Sequence, residues 1–551
     1  MQPSYVDKMI SGWWTKGNIE PKVGDHAIKD SIIKVTNPVF LIGIDGGIAV
    51  SQDGTITIGK KLESNNNHHP LYAYAPPLHP QNLGDPYFKK AHNLRYAYIA
   101  GAMANGITSV EMVEKTGRAG MMGFFGTAGL SLDEIESAIY RLQKNINNYS
   151  FGFNLINSPN NPDLESAIVN LYLKRGVKLI SASAYLELTL PLVYFRVKGI
   201  HRDVDGNIVC PNKIIAKISR IEVARKFFSP PPDKILYQLV DKNMITREEA
   251  TLARSIPIAD DMTAEADSGG HTDNSPAISL LPTIIALRDE LAEKYKYKRP
   301  LCVGLGGGIA TPSAAAAAFS MGAAYILTGS INQACVEAGT SEAVRQMLAE
   351  ARQADVTMAP AADMFEMGVK VQVLKRGTMF PLRAAKLYDL YCTYDELENI
   401  PEIQRKILEK DFFHCSLKDE WENTRKFFAK NDPKQIIRAE KNPKHKMALI
   451  FRSYLGRSSN WAITGNLSRK IDYQIWCGPA MGAFNEWVKG SFLEKYENRE
   501  TVTVAMNLLF GAAVATRANW LRSQKIALSN SVGQISPMKL SEILELLKHN
   551  G

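Results

Sequence analysis

From about residue 95 the chain alternates short apolar runs with amphipathic segments. RYAYIAGAMANG reads as a strand and a glycine-rich loop, TSVEMVEKTGRAG as a helix with a glycine stop, and MMGFFGTAG as the next strand and loop. LSLDEIESAIYRLQKNI runs at helical period, YSFGFNLI reads as a strand, DLESAIVNLYLKRG as a helix and VKLISASAY as the strand after it. Later come RPLCVGLGGGIA, the alanine-rich helix TPSAAAAAFSMG and AAYILTGS. Such alternation implies a parallel sheet covered by helices, and the spacing of the units suits an α/β fold of the (β/α)8 TIM-type barrel kind, expected over 81–385.

The flanks read differently. In 1–80, VFLIGIDGGIAVSQDGTITIG shows strand-like alternation with turn signals at DGG and QDG, which predicts a small β-rich unit. SNNNHHPLYAYAPPLHPQNLGD then reads as a loop or linker, and its His68 and His69 as surface residues, because no acid or cysteine stands at ligand spacing. Residues 386–500 are helical and more charged. Their tryptophans, Trp461, Trp476 and Trp487, are candidates for an acyl channel or ordinary core. In 501–551, TVTVAMNLLFGAAVATRANWLRSQK predicts one apolar helix, on the barrel or between two protomers, which makes a homodimer the expected assembly.

Composition narrows the function classes. A length of 551 residues, 45% hydrophobic and 22% charged, is that of an enzyme-sized globular chain. The net charge of +9 comes from 65 basic residues mixed with 56 acids, not from a stripe of the kind that binds nucleic acid, and an acidic, phosphate-bearing partner fits it equally well. Six widely spaced cysteines without a C-x-x-C pair read as reduced thiols rather than a zinc site. MQPSYVDKMISGWW has no long apolar segment and no uncharged run reaches membrane-spanning length, so a cytoplasmic location is expected.

The glycines carry the chemistry. VGLGGGIATPSAAAAA sets Gly306, Gly307 and Gly308 between a strand end and a helix start, where bare N–H groups can hold a phosphate. Ile309 stands where a dinucleotide fingerprint needs glycine, and Ile107 where a P-loop needs lysine, so a single phosphate, such as FMN carries, is the simplest anion. The next strand ends AYILTGSINQA, with Thr328, Gly329 and Ser330 at a second junction; two consecutive strand ends of this type match the phosphate site of TIM barrels. The alternative for each loop is a tight turn. In GAMAN, Ala102 and Ala104 let backbone approach a flat ring and Met103 could pack on it or fill core. Asn154 ends a strand, suited to a ring edge or a ribityl hydroxyl. Lys213 and Lys217 read chiefly as a solvated helix face.

MTAEADSGGHTDNSP places His271 after Gly269 and Gly270 in a run of acids and hydroxyls, where a packing role is poorly supported. GAMANGI, FGFNL, ADSGGHTD, GLGGGIATP and ILTGSINQACVEAGTS, followed by MGVKVQVLKRGTMFPLRA, SYLGRSSNWA and IWCGPAMGAFNEWVKGS, resemble the PfaD-type proteins. These are the trans-acting enoyl reductases of polyunsaturated fatty acid synthases and polyketide synthases. The resemblance runs from about 10 to 525, and more distantly the barrel is similar to nitronate monooxygenases and FMN-dependent enoyl-carrier reductases.

That resemblance implies bound FMN, NADPH as electron donor and a 2-enoyl thioester on an acyl carrier protein of a polyketide or fatty acid synthase. It implies His271 as the catalytic residue over the flavin, Gly269 and Gly270 as points of close backbone approach, Thr272 and Asp273 as orienters of the histidine, and Asp267 as a ribityl contact. Two other readings stay open: a nitronate monooxygenase-like flavin oxidase, and a non-catalytic protein that only docks within a synthase. An acyltransferase is disfavoured, because no G-H-S-x-G elbow occurs.

Overall fold

The computed structural model describes residues 11–44, 47–58, 67–158 and 161–548. The DGG turn, the start of the Asn-rich stretch and most of MQPSYVDKMISGWW lie outside them. Eight parallel strands close a barrel: β1 (Tyr98–Ala100), β2 (Met122–Phe125), β3 (Phe151–Ile156), β4 (Leu179–Ser183), β5 (Lys213–Ile218), β6 (Asp261–Glu265), β7 (Cys302–Gly306) and β8 (Ile326–Thr328). Each pairs with its neighbours in sequence, and β8 closes on β1 through Ile326 opposite Tyr98.

Strand parity sorts the side chains. On β5, Ile214, Ala216 and Ile218 join the outer core under the helices, while Ile215 joins the inner cluster of Ile99, Met122, Phe124, Leu179 and Tyr325. Lys213 and Lys217 share the parity of Ile215. They therefore sit on a strand inside the barrel rather than on a solvated helix face. Lys213, at the lower end, donates to the Ala91 carbonyl at 2.6 Å. The same end is plugged by Phe88, stacked on Tyr325 at 4.2 Å, and by the buried His92–Asp261 pair at 2.7 Å. Among the described residues that end is closed by packing, and the cavity opens at the end where the strands finish.

Before the barrel lies a six-stranded antiparallel sheet in the order Lys22–Val23, Gly47–Ser51, Val39–Ile44, His68–Ala75, Gly12–Thr15, Thr55–Thr57. The stretch expected as a linker thus supplies a central strand, and His68 and His69 are not loop residues. His68 Nδ1 bonds Thr15 and His69 packs on the Trp14 ring. Tertiary pairing on both sides overrides the Asn, His and Pro composition.

The Thr501–Ser523 helix is covered within its own chain. It packs against the Pro312–Ser320 helix of the barrel and the His68–Ala75 strand. Its Arg517 donates to the carbonyls of Pro76, Ile32, Lys34 and Asn37, fastening the N-terminal unit to the barrel. The helix is long and apolar enough to span a membrane, but 89% of its apolar window is buried inside the protein. The apolar surface that suggested a homodimer contact is thereby accounted for within one chain.

The barrel strands end at Thr328, and the boundary expected between 385 and 386 falls inside the Phe380–Thr393 helix. Val356–Pro360 and Lys370–Leu374 form a hairpin outside the barrel whose residues share a core with the helices Phe380–Thr393 and Pro443–Thr464, through Val371, Phe380, Phe451 and Tyr454. This second unit therefore begins near Val356. It stands over the barrel mouth, because the hairpin pairs with Gly270–His271 just after β6.

Candidate functional site

A cavity of about 590 Å³ opens at the C-terminal end of the barrel, within the range of about 300–1,000 Å³ usual for small-molecule sites. Ala102, Met103, Ala104, Asn154, Asp267, Gly269, Gly270, His271, Gly306, Gly307, Gly308, Thr328, Gly329 and Ser330 all line it. Residues read as candidates from separate loops thus converge on one space.

Gly307 and Gly308 hold φ of +86° and +74°, a region that L side chains rarely adopt. The strain-free turn exposes backbone: among the described residues, the N–H groups of Gly307, Gly308 and Gly329 have no protein acceptor. A Cβ at Gly308 or Gly329 would meet nothing within 4 Å. Because β7 and β8 are neighbours, with Gly306 opposite Leu327, the two bare loops lie side by side. These unpaired N–H groups open onto the cavity beside the start of a helix, so this pair of loops fits an oxyanion such as one phosphate. The Thr328 hydroxyl lies outside that set: it bonds Tyr98 and Asn332 and is buried.

Other loops shape the walls. The loop after β1 is pressed on β2's end, where a Cβ on Gly126 would come within 1.6 Å of the Met103 carbonyl. Thr108 holds that loop by accepting from Met103 N at 2.9 Å and donating to Gly101 O at 2.6 Å. Asn154 is buried, and its Oδ1 accepts from Ser183 at 2.7 Å. That leaves its amide nitrogen, without a protein acceptor among the described residues, as a donor for a ligand. Lys217 and Glu265 pair at 2.8 Å across β5 and β6. They supply the charged floor of the cavity.

The loop after β6 is less free than its composition suggests. Gly270 and His271 form a short strand opposite Gln372 and Val371. Gly269 lies against the Cys477 backbone, its Cβ position 2.8 Å from Cys477 N, and Gly478 faces back with a Cβ position 2.8 Å from Gly269 N. The glycines of ADSGGHTD and IWCGPAM are thus needed for one backbone-to-backbone contact. Asp267 Oδ1 accepts from Asn274 and Gln372, each at 2.8 Å, and Gln372 also donates to the Ser268 carbonyl. This network fixes where His271 points.

The partner of His271 is Asp363, whose Oδ2 stands 3.1 Å from Nε2. Burial pushes the imidazole pKa down, but the hydrogen bond and charge of Asp363, with Glu265 behind it, outweigh burial and hold it above its ordinary value. The orienters expected from sequence do other work. Asp273 takes Arg220 in a two-pronged pair at 2.8 and 2.9 Å, and Thr272 Oγ1 accepts from the backbone of Ser268 and Asn274. Asp363, Gln372 and Glu265 are the lining and framing residues that sequence reasoning passed over. Of the three tryptophans, Trp476 lines the cavity; Trp461 packs under Arg469 and Trp487 on Phe484.

Residues 394–473 match the family described as (acyl-carrier-protein) S-malonyltransferase, inserted helical domain. The chain is 45% identical over 506 residues to polyketide biosynthesis protein PksE of Bacillus subtilis (strain 168), covering 88% of this chain and 65% of that protein. It is 42% identical over 490 residues to a protein of the polyunsaturated fatty acid synthase of Thraustochytrium sp., covering 88% of this chain and 33% of that one. It thus spans only part of either relative. The crystal structure of the enoyl reductase domain of MlnA, from the macrolactin biosynthesis cluster of Bacillus amyloliquefaciens, superposes with a TM-score of 0.74 at 41% identity. That match covers 81% of this chain and 99% of the domain.

Proposed function

This chain belongs to the PfaD-type enoyl reductases of polyketide and polyunsaturated fatty acid synthases, and from that premise we propose that it reduces the α,β-double bond of carrier-bound 2-enoyl thioesters, with FMN bound and NADPH as donor. The observation that carries the reading is the convergence of two bare glycine loops and a carboxylate-paired histidine on one cavity at the barrel mouth. The match of residues 394–473 to a helical insert of an acyl-carrier-protein transferase supports a carrier-borne substrate.

The chemistry that FMN supplies when bound is hydride storage between NADPH and the enoyl group. The N–H groups of Gly307, Gly308 and Gly329 would hold its phosphate, and Asn154 a polar edge or hydroxyl. His271 is assigned to the thioester oxygen, where negative charge develops as the β-carbon is reduced. With Nε2–H bonded to Asp363, protonation makes Nδ1 a donor as well, and the carboxylate favours that form by raising the imidazole pKa. The hairpin and Trp476 line the cavity's outer side.

Purified protein should be yellow, release FMN on denaturation and oxidise NADPH when an enoyl thioester such as crotonyl-carrier protein is supplied. Colourless protein that takes up no FMN, or oxygen consumption with an alkyl nitronate in place of enoyl turnover, would refute the assignment.

Asp363→Asn tests the histidine. His271 is held above the ordinary value of 6.5 by that carboxylate, so turnover that needs the imidazolium is present below the raised pKa and lost as pH rises through it. Removing the charge moves this alkaline limb to lower pH. A pH profile of kcat that stays in place would detach Asp363 from the histidine's protonation.

A further inference from the structure

We propose that the face formed by residues 425–446 is the docking surface for an acidic carrier protein, oriented so that its phosphopantetheine arm reaches the cavity; this rests on the enoyl reductase reading above. The even mixing of charge expected along the chain breaks down here: the stretch holds eight basic residues against two acidic ones, and so carries six of the chain's nine excess positive charges. It spans the end of the Leu417–Asn431 helix, the Pro433–Lys441 helix and the start of the Pro443–Thr464 helix.

Part of this charge is internally satisfied. Arg425 pairs with Glu422, and Lys444 donates to the carbonyls of Tyr391 and Tyr394. Lys426, Lys430, Arg438 and Lys441 are exposed and have no acidic partner among the described residues. Lys426 and Lys430 are four apart on one helix and Arg438 and Lys441 three apart on the next, so each pair shares a face. Phe427 and Ile437, 60% and 56% exposed, stand beside them as apolar contacts. Charge of one sign with apolar anchors is the make-up of a surface that steers an anionic protein and then holds it.

Two contacts locate the face at the cavity's end of the barrel. Lys434 reaches Asp163 at 3.2 Å, in the first turn of the helix that leaves β3 at its C-terminal end. The Pro443–Thr464 helix, which begins on this face, carries Gly456 and Ser459 into the cavity lining. A carrier seated on 425–446 is thus joined to the cavity by a single helix.

The test uses the full chain and the quadruple variant Lys426→Glu, Lys430→Glu, Arg438→Glu, Lys441→Glu. Kinetics with crotonyl-carrier protein are set beside kinetics with crotonyl-pantetheine, and binding of labelled holo-carrier protein is read by fluorescence anisotropy at low and high salt. We expect KM for the carrier substrate to rise about tenfold or more with kcat held, carrier binding to weaken in parallel, and crotonyl-pantetheine kinetics to stay as in the parent. Unchanged carrier binding would overturn the surface. So would equal losses with both substrates, or a parent that binds a DNA duplex through these residues and no carrier. If the parent reduces neither thioester, the enoyl reductase reading fails while the anisotropy still decides the surface: carrier binding lost in the variant supports it, and binding that is absent or unaltered refutes it.

Discussion

Replacing His271 with alanine is expected to lower enoyl turnover by about a hundredfold or more while the protein keeps its flavin. General acid assistance and hydrogen bonding to a developing oxyanion contribute about 10²–10⁴ in rate, and alanine offers neither. Flavin is kept because the proposed phosphate grip comes from the β7 and β8 loops, and the backbone at 270–271 is held by its pairing with Gln372 and Val371, not by the imidazole. The expected signature is a fall in kcat with the flavin absorbance per polypeptide unchanged. Turnover equal to that of the parent would remove His271 from the chemistry, and loss of flavin would recast it as a binding residue.

Gly307→Ala is expected to abolish flavin retention. The position holds φ of +86°, and a Cβ there would lie 2.7 Å from the carbonyl carbon and oxygen of Ala266 and 2.8 Å from the Asp267 oxygen. Those are backbone atoms, so no rotamer change relieves the overlap, and the left-handed conformation adds about 1–2 kcal/mol for a residue with a Cβ. The loop must shift away from the Ala266–Asp267 backbone, which takes the N–H groups of 307 and 308 out of register with that of Gly329. Gly176→Ala separates strain from site: its φ is +69°, nothing lies within 4 Å of its Cβ position, and it is remote from the cavity. Both variants should melt earlier than the parent. Only Gly307→Ala should be isolated colourless and need added FMN to recover turnover; a yellow, fully active Gly307→Ala would show that the phosphate is held elsewhere.

Much of the barrel was readable because its signals are local. Alternating apolar runs marked the strands, and paired small residues marked the bare loops, since a left-handed φ admits glycine wherever the rest of the fold lies. The parity of Lys213 and Lys217 was also readable in principle: both stand two residues from Ile215 in an apolar run, which places them on one face of a strand. They read as solvent-facing because a lysine in a barrel interior goes against its usual exposure, and the acids and carbonyls that accept them lie on other segments.

The remaining features required the fold. Asp363 is 92 residues from His271 and carries no periodic mark, so their pairing follows from the hairpin that crosses the barrel mouth. Asp273, two residues on, looked like the orienter, but the strand ends at His271 and Asp273, in the loop beyond it, takes Arg220 instead. The His68–Ala75 strand was hidden by loop-like composition and exists because two other strands flank it.

Repeat period, helix stops and the sign of a backbone angle depend on a residue and its near neighbours, so the amino-acid order alone determined the (β/α) class and made the bare glycine loops and the candidate His271 legible. Charge pairing, pKa and coverage depend on groups brought together across tens or hundreds of positions. The partner of that histidine, the floor of the cavity and the burial of the apolar 501–523 helix were therefore settled only when the chain closed on itself.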